Sequence, residues 1–177
     1  MIYDIVPATD PILRQKTEPF DFANPPCDPL DLVSNLAETM LSRNGMGIAA
    51  NQCGLPYRVF VLKGVELMPC FNPRIIDVSE DELMLEEGCL THPGLFVKIK
   101  RPQVIKVRYA LPNGEIVTER YQDLTARVFQ HELDHLDGIC PLSRASRIHL
   151  EQARNKAKKL LRKSKTSSTM KSNGLYT

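Results

Sequence analysis

The segment LTARVFQHELDHLDG, Leu124 to Gly138, constrains this chain more than any other. It has helical periodicity, Asp123 stands before it as a cap, and Gly138 stops it. His131 and His135 are four residues apart, about 400° around a helix axis, so both imidazoles leave the same side one turn apart. Placed this way, they can reach one metal ion at about 2.0–2.1 Å. Glu132, next to the first of them, can take a proton from a water held there instead of binding the ion. The fold must therefore close around this helix.

Two protein ligands are too few for a catalytic site, which usually takes three and leaves a position open. Downstream candidates are poor. Asp137 is too near in sequence to reach back, while His149 and Glu151 sit in a basic segment. Upstream, LEEGCLTHPG offers Cys89 in a non-helical run flanked by strand-like sequence, where a thiolate could be presented to a metal. His92 lies nearby and reads better as a loop histidine. The other cysteines, Cys27, Cys53, Cys70 and Cys140, are scattered and without a CxxC pair, which suits reduced thiols.

The rest of the chain reads as one domain of α+β class. Prolines and polar residues up to Pro29 predict an irregular arm lying across the surface. Asp31 to Arg43 is an amphipathic helix with Leu32, Leu36 and Met40 on one side. The glycines and alanines of NGMGIAANQCGLPYR suit a chain that passes close to something else. VFVL, CFNPRIIDV, LFVKI and QVIKVRYA read as strands. LPNGEIVTERY reads as a hairpin with positive φ at both Asn113 and Gly114. A last helix runs from about Arg147 to Lys163, giving a single catalytic domain over 1–163 and a disordered basic tail over 164–177.

Charge is unevenly spread. Of the 23 Lys and Arg, ten lie from Arg144 onward with Glu151 as the one acid there, so this end carries +9 and the remainder −7. A basic end of this kind is a handle for polyanions such as RNA, or simply a solvated helix. No run approaches the roughly 20 apolar residues of a membrane span, and the N-terminus lacks the pattern of a signal peptide. The expected location is the cytoplasm.

GMGIAANQ at 45–52, EGCLT at 87–91 and QHELDH at 130–135 resemble, in order and spacing, the three signature motifs of the peptide deformylases. The resemblance extends from the N-terminal arm to about Leu142. It implies antiparallel strands in small sheets around the central HExxH helix, and hydrolysis of the formyl group from the N-terminal formylmethionine of new polypeptides. It implies Cys89, His131 and His135 as ligands, with iron(II) as the native ion and zinc, nickel or cobalt as substitutes. Glu132 would be the general acid and base, and the Gln52 side-chain amide and the Leu90 backbone N–H would face the formyl oxygen.

By the same resemblance, Gly47, Glu87 and Gly88 would contact the substrate, Gly47 through main-chain hydrogen bonds. Met46, Leu85, Leu124 and Val128 would line the methionine pocket, with the stem of Arg127 at its edge. Without the family, Met46, Leu85 and Val128 read as ordinary core. Glu87 and Arg101 would pair to hold the second motif, and Glu86 and Asp134 would be structural. The +9 end resembles the ribosome-docking helix of bacterial relatives. Two features depart from the pattern: Thr91 stands where serine is usual, and Phe96 stands where many members carry an arginine. A general metallopeptidase and a catalytically inactive RNA-binding module are the other classes these residues leave open.

Overall fold

A computed structural model describes residues 1–172, with side chains to Leu160. α1 (Pro29–Ser42) starts where Asp28 accepts from the backbone N–H of Leu30 and Asp31, with Pro29 in its first turn. Its stripe Leu32, Leu36, Ala37 and Met40 is buried. The sheets are antiparallel throughout. One has five strands in the order β1 (Gly47–Ala49), β2 (Val59–Lys63), β3 (Leu67–Val78), β6 (Val104–Ala110) and β7 (Ile116–Gln122). The other is a two-stranded ribbon of β4 (Glu82–Cys89) and β5 (His92–Pro102). α2 (Asp123–Leu136) lies between them, and α3 (Arg147–Ser172) closes the described chain. The fold is α+β, as expected.

α2 is buried on every side that matters to the site. Ala126, Phe129, Leu133 and Leu136 pack on the five-stranded sheet, with the Phe129 ring edge-on to Phe60 at 4.9 Å between centroids. This leaves Arg127, His131 and Asp134, at helical spacing, to meet the β4–β5 ribbon through polar contacts. The buried polar row is the reason the helix sits where it does.

Several details differ from the sequence reading. Asp123 is not the cap: it is the first helical residue, at φ 52°, and its backbone and side chain both bond Gln103 instead. The β6–β7 connection has positive φ only at Gly114, because it closes through Leu111 and Glu115 as a longer loop in which Asn113 accepts from the Glu115 N–H. The N-terminal arm is not superficial. Leu13, Thr17 and Phe20 are buried, and Thr17 donates twice to the Leu136 carbonyl, satisfying an end group of α2.

Met46 and Leu85 are not core, because both side chains stay partly in solvent. β4 was hidden from the sequence because its inward positions, Leu83, Leu85, Glu87 and Cys89, are apolar only in its first half and then carry a charge and a thiol. α3 continues beyond Lys163, where a disordered tail was expected, since no Pro interrupts it and the first Gly comes at Gly174. Residues 173–177 of that expected tail lie outside the described residues. All five cysteines are unpaired.

Candidate metal centre

Two elements bring the donors together. Cys89 is the last residue of β4, and His131 and His135 sit on the inner face of α2. The ligand atoms of the three all lie within 4.8 Å of one another, and Cys89 Sγ is 3.2 Å from His135 Nε2. All three side chains are buried. His131 Nδ1 is held at 2.8 Å by Glu87 Oε2, which leaves Nε2 as its coordinating atom. A thiolate with two oriented imidazoles suits a first-row divalent ion, so the residues present fit the metal the sequence implies.

Glu87 is the hub of a buried polar network. It takes two bonds from the Arg101 guanidinium, at 2.7 and 3.0 Å, and one from Arg127 at 2.8 Å. Arg101 also reaches Asp134 at 2.8 Å, and Asp134 accepts from Arg144 at 2.7 Å. Burial alone would raise the Glu87 carboxyl, but His131 and Arg101 outweigh it and hold it down at about 2. The Glu87–Arg101 pair is buried, and each of its charges is met. Burial disfavours charge on His131, but Cys89 and Glu87 push its pKa up; His135, more deeply enclosed, is pushed down.

Glu132 contrasts with Glu87. It is buried, its Oε2 has no partner, and burial pushes its carboxyl up to about 7. Gly47, in edge strand β1, makes room for it: a Cβ there would stand 2.5 Å from Glu132 Oε1 and 2.8 Å from Val128 Cγ1. The close approach that this glycine permits is thus first of all to Glu132. Gln52, in the 3₁₀ turn Ala50–Cys53, is fixed at both ends of its amide. Its Oε1 accepts from Ala49 N–H at 2.9 Å, and its Nε2 donates to Thr91 Oγ1 at 3.0 Å, 3.7 Å from Cys89 Sγ. Thr91 keeps the hydroxyl that this arrangement uses.

A cavity of about 460 Å³ opens over these groups. Gly47, Gln52, Gly88, Cys89, Leu90, His131 and Glu132 border its inner part, and Met46, Leu124 and Val128 give it an apolar side. One expected pocket residue is placed differently. Leu85 does not border the cavity, because it stands two pairs back along β4, opposite Ile99. Arg127 borders it, but its guanidinium turns away to Glu87 and to the carbonyls of Ile99 and Leu83. His92 opens β5 and is no part of the donor cluster; its Nε2 lies 3.7 Å from Cys140 Sγ.

Two supporting residues escaped the sequence reading. Asn51 Nδ2 donates to the His135 carbonyl at 2.6 Å, and Arg144 ties Asp134 to the 3₁₀ turn Pro141–Arg144 that precedes α3. Arg144 gave no local signal. Asp134 did, since it continues the polar row of Arg127 and His131 along one helix face.

Residues 2–151 match the family described as Polypeptide deformylase. A peptide deformylase of Thermotoga petrophila is 40% identical over 142 residues, covering 77% of this chain and 83% of that protein. The crystal structure of the peptide deformylase of Thermotoga maritima superposes with a TM-score of 0.76 at 37% identity, over 82% of this chain and 99% of that one. A Met-Ala-Ser-bound structure of the Acinetobacter baumannii enzyme superposes with a TM-score of 0.77 at 30% identity, over 81% of this chain and 98% of that one.

Proposed function

Because the chain belongs to the polypeptide deformylase family, it is a metal-dependent hydrolase that removes the formyl group from the N-terminal formylmethionine of new polypeptides, and we propose how its residues divide that work. Cys89, His131 and His135 hold the ion, and Glu132 moves the proton. The observation that carries this is the buried trio of donor atoms within 4.8 Å, with the unpartnered Glu132 Oε2 beside it.

A bound divalent ion supplies Lewis acidity, polarising a carbonyl and making water a better acid. Glu132 takes a proton from the attacking water and returns it to the departing amine of methionine, which leaves formate as the second product. A carboxyl that burial has pushed up to about 7 is suited to both transfers near neutral pH. The Gln52 Nε2 group and the Leu90 backbone N–H face the formyl oxygen as it gains charge. Gln52 is held by Ala49 and Thr91 before substrate arrives, so little reorganisation is needed. Glu87 positions His131 and does not itself meet substrate, since both its oxygens are engaged.

The substrate enters as an extended strand. β1 is an edge of its sheet, and a peptide alongside it would use the backbone of Gly47 and its neighbours. Methionine then packs on Met46, Leu124 and Val128. The A. baumannii relative binds Met-Ala-Ser, and the cavity here is assigned the same class of ligand. Iron(II) as the native ion follows from the family resemblance, and zinc, nickel and cobalt suit the same donor set.

Residues 1–163 form one catalytic unit, in which Leu150 and Ala153 of α3 pack with Val97 and Leu142. No helix of the described residues is long and apolar enough to cross a membrane. Work in the cytoplasm, with the basic α3 meeting ribosomal RNA, completes the reading.

The test is metal analysis of anaerobically purified protein together with formate release from formyl-Met-Ala-Ser and from unformylated Met-Ala-Ser. One equivalent of iron and formate from the first peptide alone are expected. Cleavage of the peptide chain in both would overturn the assignment.

A further inference from the structure

On the outward face of the β4–β5 ribbon the cross-strand pairs run Met84 with Lys100, Glu86 with Lys98, and Gly88 with Phe96. Charged side chains thus give way, at the cavity mouth, to a phenyl ring over a glycine. The ring occupies the place a side chain at residue 88 would take: a Cβ there would lie 2.6 Å from Phe96 Cε1 and 2.9 Å from Cδ1. Covering a strand glycine uses one face of an aromatic ring. Phe96 nevertheless remains 54% exposed, so much of its surface is still open.

That open surface borders the cavity, on a wall shared with Pro93, Gly94 and Leu95. The nearest carboxylate on the same strand face, Glu86, is drawn to Lys156 at 3.4 Å. Gly88 directly precedes the ligand Cys89, so Phe96 is paired across the ribbon with the residue next to a ligand.

We infer that Phe96 is a specificity-determining residue, which contacts one side chain downstream of the substrate methionine and favours an apolar group there over a charged one. The inference rests on the placement of the formyl end at Cys89, His131 and His135. Successive side chains of an extended peptide point to opposite faces, so only one of the two residues after methionine can meet the ring.

The experiment measures kcat/KM for two series, formyl-Met-X-Ala and formyl-Met-Ala-X, with X as Phe, Leu, Ala, Asp or Lys. Metal-loaded wild type, Phe96→Ala and Phe96→Glu are compared. At one of the two positions wild type should prefer Leu or Phe to Asp by about tenfold. Phe96→Ala should bring that ratio close to one, and Phe96→Glu should turn the preference toward Lys. These ratios are taken within each protein, so a change in folded or metal-loaded fraction does not move them. Formate release with the same ratios in wild type and Phe96→Ala overturns the role of Phe96 alone. Absence of formate from every peptide overturns the assignment of the site as well.

Discussion

The inner wall of the cavity and its outer rim are built on opposite terms. Inside, Glu87, Arg101, Arg127, Asp134 and His131 are buried, and each charge meets another at hydrogen-bond distance. At the rim, Met46, Leu124 and Phe96 are 42%, 54% and 54% exposed, and they offer apolar surface to solvent. The wall has one exception, Glu132, whose Oε2 is buried without a partner. The contrast separates two tasks. A site that must hold an ion and move a proton needs groups fixed by their neighbours. A rim that accepts many nascent chains needs only a surface that favours one side chain at a time.

If that division is right, substitutions on the wall should cost both stability and metal, and those on the rim should cost neither. Glu87→Gln should have the largest effect. It leaves two buried guanidinium groups short of a counter-charge and should destabilise the protein by about 3–5 kcal/mol, as measured by denaturant unfolding. With the acceptor on His131 weakened, competition with a chelator should also show metal affinity lower by about 10- to 100-fold. Unchanged affinity would mean that the network serves the fold and not the ion.

Thr91→Val should fall between the two regions. It keeps the shape but removes the acceptor that fixes Gln52 Nε2, so kcat should drop by about tenfold, less than the 10²–10³ of losing a donor outright. Metal content measured on the same sample should not change. A loss of metal instead would place Gln52 and Thr91 in support of Cys89.

Leu124→Ala should be the mildest, as a change on the rim. Stability should stay within about 0.5 kcal/mol, because the side chain is more exposed than buried. The kcat/KM for formylmethionyl peptides should fall by about tenfold, and the deficit should shrink for formyl-norvaline peptides, whose smaller side chain has less to lose. An equal loss for both would remove Leu124 from the methionine pocket.

The two regions were unequally legible in the sequence. HELDH fixes its own geometry, since helical spacing alone aligns His131 with His135, and Cys89 could be found because downstream ligands were absent. Gln52 and Leu90 came only from the resemblance. The wall's network was half visible: Glu87 and Arg101 could be paired, but their burial depends on β4 and β5 folding over α2, which no local pattern encodes. Asn51 and Arg144 act on residues far along the chain, through the His135 carbonyl and Asp134, and left no spacing to read. β1 is three residues of Gly, Ile and Ala, too short to show alternation. On the rim, sequence could name apolar residues but could not say which stay exposed, and Leu85, which the resemblance put in the pocket, does not border it.

The central claim is that the wall's one unpaired carboxylate does the proton transfer, while Cys89, His131 and His135 hold the ion and the paired network keeps His131 in place. Glu132→Ala, purified anaerobically, tests it through metal stoichiometry and single-turnover formate release from formyl-Met-Ala-Ser in the same sample. The account predicts a full equivalent of metal with formate release slowed by about 10²–10⁴-fold. Full metal with undiminished formate release would contradict it.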